Sequence, residues 1–406
     1  MQNRVQPYAW GSRTALSELY GLANNEKSPM AELWMGAHPK APSLVELDGE
    51  QQPLDRYLTE HAERALGAGT RQRFGDRLPF LFKVLCAAEP LSIQAHPSLE
   101  QARAGFANEE RNGPPADAPN RNYRDDNHKP ELLCALRPFW GLRGFRPVNE
   151  IAAEFTSVEL RSLDVPVAPP ETDNDIQDFF ERLLRLPEDE RRDVVAGAIA
   201  LAQKQWGAFD PAHLPEPGDP LARYYWVQRI ADVHPGDIGI VSPLILNTVS
   251  LQPGEAVYQP AGVLHAYLSG VGAELMANSD NVLRGGMTVK HIDVDELLSV
   301  GVFRPQEREP VLPEPSSLVA GEGADARYYP TPFSEFQLHT VQSGEDAVQI
   351  TTGAPMIVLC HAGRPTVACE DGEHSLAPGR SCFVEAATER LEIRGTATVY
   401  IATVGS

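Results

Sequence analysis

One pattern occurs twice and limits the fold more than any other feature of the chain. Leu251-Gln252-Pro253-Gly254-Glu255-Ala256-Val257-Tyr258-Gln259-Pro260-Ala261 matches Leu376-Ala377-Pro378-Gly379-Arg380-Ser381-Cys382-Phe383-Val384-Glu385-Ala386 at a single offset of 125 positions. Leu, Pro, Gly, an aromatic residue and Ala recur. An aliphatic residue, then Pro-Gly, then strand-forming residues reads as a tight corner leading into a β-strand. Two such corners imply two β units of one design. The 35 prolines and 32 glycines in 406 residues agree, since they call for many turns and short elements rather than a long helical bundle.

The stretch between the β regions has a different period. Asp175 can cap a helix carrying Ile176, Phe179, Phe180, Leu183 and Leu184 at i, i+3, i+4, i+7 and i+8. That stripe reads as core. Pro187 closes this helix and opens a second, with Val194, Val195, Ala198, Ile199 and Ala202 on its apolar side. After Pro215, Pro217, Gly218 and Pro220, a third short helix carries Leu221, Tyr224, Tyr225 and Gln228. From Ile238 onward the chain reads as β again. The fold expected is mainly β with an α insert: two cupin-like β-sandwich or jelly-roll domains plus a helical domain. Residues 1–148 and 236–312 form the first sandwich in two parts, 149–235 the helical domain, and 313–406 the second sandwich.

Charge narrows the partners. Asp and Glu number 56 against 35 Lys and Arg, a formal net charge of −21. Such a surface argues against nucleic acid or an anionic membrane as partner. Cys86, Cys134, Cys360, Cys369 and Cys382 show no CxxC spacing, which fits reduced thiols in a cytoplasmic protein. The first residues lack the apolar core of a signal peptide, and no apolar run reaches the ~18 residues of a membrane span. There is no oligomer signal, and a monomer fits.

Candidate chemistry gathers in a few segments. Leu78–Leu85 is a nearly continuous apolar run, as in a buried strand, with Lys83 as the oddity inside it. In Leu91–Pro97, the residues Ser92, Gln94 and His96 alternate with Ile93 and Ala95, so they share one strand face. Residues 105–127 are polar and turn-rich, the composition of a lid or excursion. Glu131 follows this stretch, and His265 follows the first corner. Gln94, His96, Glu131 and His265 offer two imidazoles, a carboxylate and an amide oxygen, a set that suits Zn²⁺, with Mn²⁺, Fe²⁺ and Co²⁺ as alternatives. The competing reading is that His96 and His265 are ordinary partly buried histidines; His38 and His128 are weaker ligand candidates. At the place of His265 the second copy has Arg390, so the second sandwich is expected to be structural. Arg284 and Lys290 flank Gly285-Gly286, where the backbone can approach a ligand closely. With Lys83 and Lys129 they could hold a phosphate. The competing reading is salt bridging to nearby acids, for example Asp280 to Arg284.

Taken together, Tyr8-Ala9-Trp10-Gly11, Ala31–Pro39, Ser92–Pro97, Asn127-His128-Lys129-Pro130-Glu131 and the strip Asn278–Lys290 resemble type I phosphomannose isomerase over nearly the whole chain. The resemblance implies an aldose–ketose isomerase that interconverts mannose 6-phosphate and fructose 6-phosphate through a cis-enediol. It places one zinc ion per chain on Gln94, His96, Glu131 and His265. It places catalytic groups on Arg284, Lys129 and Asp280, and substrate contacts on Trp10, Glu32, Lys83, Ser92, Tyr267 and Lys290. Thr288-Val289-Lys290 stands where the family often has Thr-Pro-Lys. Two other classes share parts of the pattern. An Fe²⁺ cupin dioxygenase would use His96, Glu131 and His265. A sugar-binding cupin would bind the phosphate without reaction.

Overall fold

The computed structural model describes residues 1–47, 49–161, 168–320 and 324–405. Its strands fall into two sets with similar sheet order. The first set is β1 (Arg4–Gln6), β2 (Glu32–Met35), β3 (Leu44–Leu47), β4 (Glu50–Pro53), β5 (Phe80–Ala87), β6 (Ile93–Ala95), β7 (Glu131–Ala135), β8 (Phe139–Phe145), β9 (Leu246–Leu251), β10 (Ala256–Gln259), β11 (His265–Ala277) and β12 (Leu283–Gly286). Apart from the β3–β4 hairpin, these strands pair antiparallel as β1-β2-β5-β11-β7-β10 and as β12-β6-β11-β8-β9. Strand β11 serves both sheets. Its first part pairs with β8 and its remainder with β5 and β7. The switch falls at Gly270, whose φ is 129° and where a Cβ would lie 2.6 Å from the Pro138 carbonyl oxygen. Only glycine fits that bend.

The second set comprises β13 (Glu314–Pro315), β14 (Val319–Ala320), β15 (Ala324–Tyr328), β16 (Gln337–Ser343), β17 (Val348–Ile350), β18 (Met356–Gly363), β19 (Thr366–Cys369), β20 (Gly372–Ser375), β21 (Ser381–Val384), β22 (Leu391–Arg394) and β23 (Ala397–Thr403). Its sheets run β13-β15-β16-β23-β18-β21 and β14-β17-β22-β19-β20, the spatial order of the first set, with β22 and β23 in place of the bent β11 and with β14, near the start of its set, in the place that β12 takes at the end of the first. The duplicated corner is the same turn in both. Glu255 N–H donates to the Gln252 carbonyl and Gly254 N–H to that of Ala135, both at 2.9 Å. Arg380 donates to Ala377 and Gly379 to Cys360 at 2.9 and 2.8 Å.

Period-two alternation decides what lies inside. On β5, Phe80, Phe82, Val84 and Cys86 face outward with Leu132, Cys134, Ala273 and Leu275. They pack on Tyr329, Phe336, Ile357, Leu359 and Tyr400 of the second sandwich. The outer side of the other sheet, with Trp140, Leu142, Leu264 and Ala266, packs on the helices, where Trp140 meets Trp226 at 5.9 Å. Both outer faces of the first sandwich are therefore dry, and its polar residues converge inside. The second sandwich is filled instead by Val341, Ile350, Met356, Val358, Ile393, Val399 and Ile401.

The helical insert leaves the first set after β8 and returns at β9. It contains helices Ile176–Leu184, Glu188–Trp206 and Ala222–Val233, as the apolar stripes predict. Several details differ. Leu221 precedes the third helix and is exposed. The Asp175 carboxylate accepts from Thr172 in a preceding 3₁₀ turn rather than capping its own helix. Helical turns over Ile238–Val241 and Ser242–Ile245 delay the return to β until Leu246. The buried strand starts two residues later than its apolar run, at Phe80. The polar stretch 105–127 is helical in its first part, within Leu99–Asn112. A capping box of Ser98 and Gln101 starts that helix although it buries only Ala102. No helix among the described residues is long and apolar enough to cross a membrane.

The two corners should respond differently to the same substitution. Gly379 has φ 78°, and a Cβ there would lie 2.5 Å from that of Tyr20; Gly254 has φ 91° and open space around it. Gly254→Ala should cost about 1 kcal/mol, the strain of a left-handed alanine. Gly379→Ala should cost about 2–4 kcal/mol, since overpacking is added. Chemical denaturation of the two variants measures both, and equal losses would contradict the packing difference.

Candidate metal centre and its cationic rim

Three ligand-type side chains meet inside the first sandwich. His96 follows β6, Glu131 opens β7 and His265 opens β11; their ligand atoms lie within 4.8 Å of one another, and all three residues are buried. His96 Nε2 is 3.3 Å from Glu131 Oε1, and His265 Nε2 is 3.4 Å from Glu131 Oε2. The opposite ring nitrogens are anchored to backbone. His96 Nδ1 lies 2.8 Å from the Asn281 carbonyl and His265 Nδ1 2.9 Å from that of Val263. A carbonyl accepts only from N–H, so each ring carries its proton on Nδ1 and turns a bare Nε2 lone pair inward. Neither Nε2 makes a hydrogen bond among the described residues. Buried orphan nitrogens are costly, and two aimed at one carboxylate are what a metal would satisfy. Burial, with the nearby Lys129 charge, pushes His96 down to about 4, so it stays in the neutral ligand form. Gln94 pairs with His265 on one side and Arg284 on the other, which places it at the edge of this set.

Glu131 also accepts from Tyr267 OH at 3.3 Å and lies 3.2 Å from Lys129 Nζ. Burial alone would raise Glu131, but Lys129 and the imidazoles hold it well below the ordinary range. Beside it lies a second buried charge group. Lys83 Nζ donates to Glu274 Oε2 at 2.9 Å, stands 3.7 Å from Glu32 Oε1, and lies 5.4 Å from the Trp34 ring centre. Trp34 in turn donates to Glu32 at 2.6 Å. Burial opposes the Lys83 charge, but Glu274 and Glu32 outweigh it and raise its pKa; Glu274 itself is pushed by burial up to about 7. Glu274 is absent from the set read off the sequence. The signal that could have found it is a lone acid in the otherwise apolar run Val271–Ala277, the counterpart of Lys83 in its own apolar run.

The four cations do not form one cluster. Lys83 and Lys129 are committed to carboxylates. Arg284 and Lys290 instead lie near Arg124 and Lys40: burial lowers both, and the neighbouring cations lower them further. Asp280 does not pair with Arg284. It pairs with Lys40 at 2.8 Å and stands 3.7 Å from His38 Nε2. Burial would raise Asp280, but Lys40 holds it below its usual value. Arg124 escapes a reading of the sequence because it sits in a turn-rich stretch with no periodicity. Asn281 brings it in, accepting from the Arg124 N–H at 2.7 Å while the Asn281 side-chain amide donates to the Asp125 and Asn127 carbonyls at 2.8 and 2.9 Å. Trp10 stacks on Tyr8 at 5.7 Å and packs on the apolar cluster that contains Tyr267, and Ser92 is half-buried just before β6.

Residues 1–148 match the catalytic domain of type I phosphomannose isomerase. The mannose-6-phosphate isomerase of Salmonella typhimurium is 40% identical over 97% of this chain and 96% of its own. That of Homo sapiens is 35% identical over 74% of this chain and 72% of its own. A zinc-bound crystal structure of mannose 6-phosphate isomerase superposes with a TM-score of 0.86 at 36% identity, covering 100% of this chain and 98% of that one.

Breaking the buried pair should be worse than removing it. Lys83→Met leaves Glu274 without its counter-charge and should cost about 3–5 kcal/mol, whereas Lys83→Met with Glu274→Gln should recover most of that loss. Denaturation of the single and double variants tests this, and additive losses would refute the coupling.

Proposed function

The chain belongs to the type I phosphomannose isomerase family, and we propose that its buried His96–Glu131–His265 set, joined by Gln94, holds the zinc of an enzyme interconverting mannose 6-phosphate and fructose 6-phosphate. The observation that carries this reading is the pair of orphan Nε2 atoms, each fixed by a backbone carbonyl and both turned to Glu131. One Zn²⁺ per chain fits this donor set and, when bound, supplies Lewis-acid stabilisation to substrate oxygen.

The remaining roles belong to the protein. Arg284, Lys290, Arg124 and Lys40 form the cationic rim that receives the phosphate, with Arg284 the member next to Gln94. Lys83, Glu32, Trp10, Ser92 and Tyr267 line the interior and orient the sugar. The open-chain aldose loses its C2 proton while the C1 carbonyl oxygen gains one, giving a cis-enediol. Return of a proton to C1, with loss of one from the C2 hydroxyl, gives the ketose. Negative charge grows on oxygen in both halves, and Arg284 is the fixed cation beside it. Lys129 and Asp280 move protons during ring opening and transfer. We divide the chain into a cupin-like catalytic sandwich (1–148 and 236–312), a helical domain (149–235) and a cupin-like C-terminal sandwich (313–406) with no metal-ligand set among its described residues. In that last unit, Met356 aligns with Glu131 when the corner registers are superposed. With a net charge of −21, the expected partner is the small sugar phosphate rather than nucleic acid or membrane.

A coupled assay of mannose 6-phosphate isomerisation, with and without a chelator, tests the assignment directly. Activity is expected to vanish with the metal and return with zinc. Arg284→Ala should lower kcat by about 100-fold or more while the zinc content stays that of the parent. Turnover near the parent level would remove Arg284 from its role.

A further inference from the structure

The segment Asn127–Glu131 is held from two sides. On one side, the Asn281 amide and the Ser279 hydroxyl donate to the Asn127 carbonyl at 2.9 and 3.1 Å. On the other side, His128 Nε2 lies 2.6 Å from Glu335 Oε1, a residue of the C-terminal sandwich. The His128 and Glu335 side chains are 21% and 12% exposed, so this contact is largely shielded from water. Glu335 is itself fixed. Phe336 is fully buried in the core shared by the two sandwiches, and Phe333 packs edge-on against Tyr258 at 5.7 Å. Tyr258 pairs with Leu132, in the strand that Glu131 opens. Arg73 ties the same loop down by donating to the Ser334 and Gly405 carbonyls at 3.0 and 2.8 Å.

Lys129 lies between these anchors, directly after His128. Its Nζ must reach into the interior from a short segment fixed at its ends, where Asn127 donates to the Asn278 carbonyl at 3.0 Å and the Pro130 carbonyl accepts from Ala277 at 3.1 Å, while the His128 side chain is held by Glu335. A misplacement of about 1 Å at a reacting group can cost 10²-fold in rate, so the hold on His128 matters to chemistry and not only to stability. We propose that Glu335 is a positioning residue of the isomerase site, fixing through His128 the backbone that presents Lys129. The C-terminal sandwich, which has no ligand set of its own among the described residues, thereby completes the site of the first. The inference rests on the role given to Lys129 above.

An exposed ion pair would be worth only about 0–1 kcal/mol and would leave turnover alone. Positioning predicts something else. Zinc-loaded Glu335→Ala should show kcat lowered about tenfold, consistent with slight misplacement of one group. KM for mannose 6-phosphate, zinc per chain and melting temperature should stay near those of the parent, because the phosphate rim and the ligand set are untouched. Glu335→Gln keeps an acceptor oxygen for His128 and should recover most of the lost turnover. The proposal is overturned if Glu335→Ala turns over within twofold of the parent, if turnover falls together with zinc content or melting temperature, or if Glu335→Gln is as impaired as Glu335→Ala. Failure of the parent itself to isomerise mannose 6-phosphate would instead sink the functional reading.

Discussion

Strand β11 pairs with β5 on one edge and with β7 on the other, and its alternation sends Ala273 and Leu275 out while Glu274 points in. Register in such a sheet is all or nothing, since a slip of one residue exchanges the two faces. The same alternation on β5 and β7 turns Lys83 and Glu131 inward. The slip that exposed one of these groups to the dry outer contacts would expose them all. The outer contacts, with the helices on one sheet and the C-terminal sandwich on the other, therefore hold the ligand and charge groups inside as firmly as any bond made among them.

The interior so formed concentrates charge in a medium where charge is expensive. Lys83 sits among Glu274, Glu32 and the Trp34 ring, and Glu131 among Lys129, Tyr267 and two imidazoles. Each group is paired, and this is the condition under which burial of ions is tolerated. The rim is different in kind. Arg284, Lys290 and Arg124 are cations crowded against cations, a costly arrangement for the protein alone. An anion would relieve it. The overall charge of −21 opposes any anionic ligand at long range, so under the proposed function capture of the sugar phosphate would fall to these short-range contacts within about one Debye length.

Much of this was legible in the sequence, and the rest had definite reasons for escaping. The Pro-Gly corners were visible because a left-handed glycine leaves a local signature, and Arg390 at the offset place of His265 set the second copy apart from the first. The ligand types at Gln94, His96, Glu131 and His265 could be read from residue chemistry, and the structure brings His96, Glu131 and His265 together. Pairing of distant charges could not be read. Lys83 meets Glu274 only because β5 and β11 are neighbours, and Lys40 takes Asp280 from a segment far away in sequence. The Leu99–Asn112 helix was hidden by its polarity, since a helix with one buried residue offers no stripe.

The helical insert occupies a revealing place. In the second set, β19 and β20 are joined by a short hairpin turn after Cys369, whereas their counterparts β8 and β9 are separated by the whole insert. Phe145 and Leu246, at its two ends, are register partners. A hairpin closes through neighbouring strand ends whether the connecting chain is short or long, and the entropy of closing a longer loop grows only slowly. The same ladder that a tight turn completes in one copy has thus accommodated the whole helical insert in the other. Hairpin ends of this kind are natural grafting points, where a foreign domain with closely spaced termini could be spliced without disturbing the strand order.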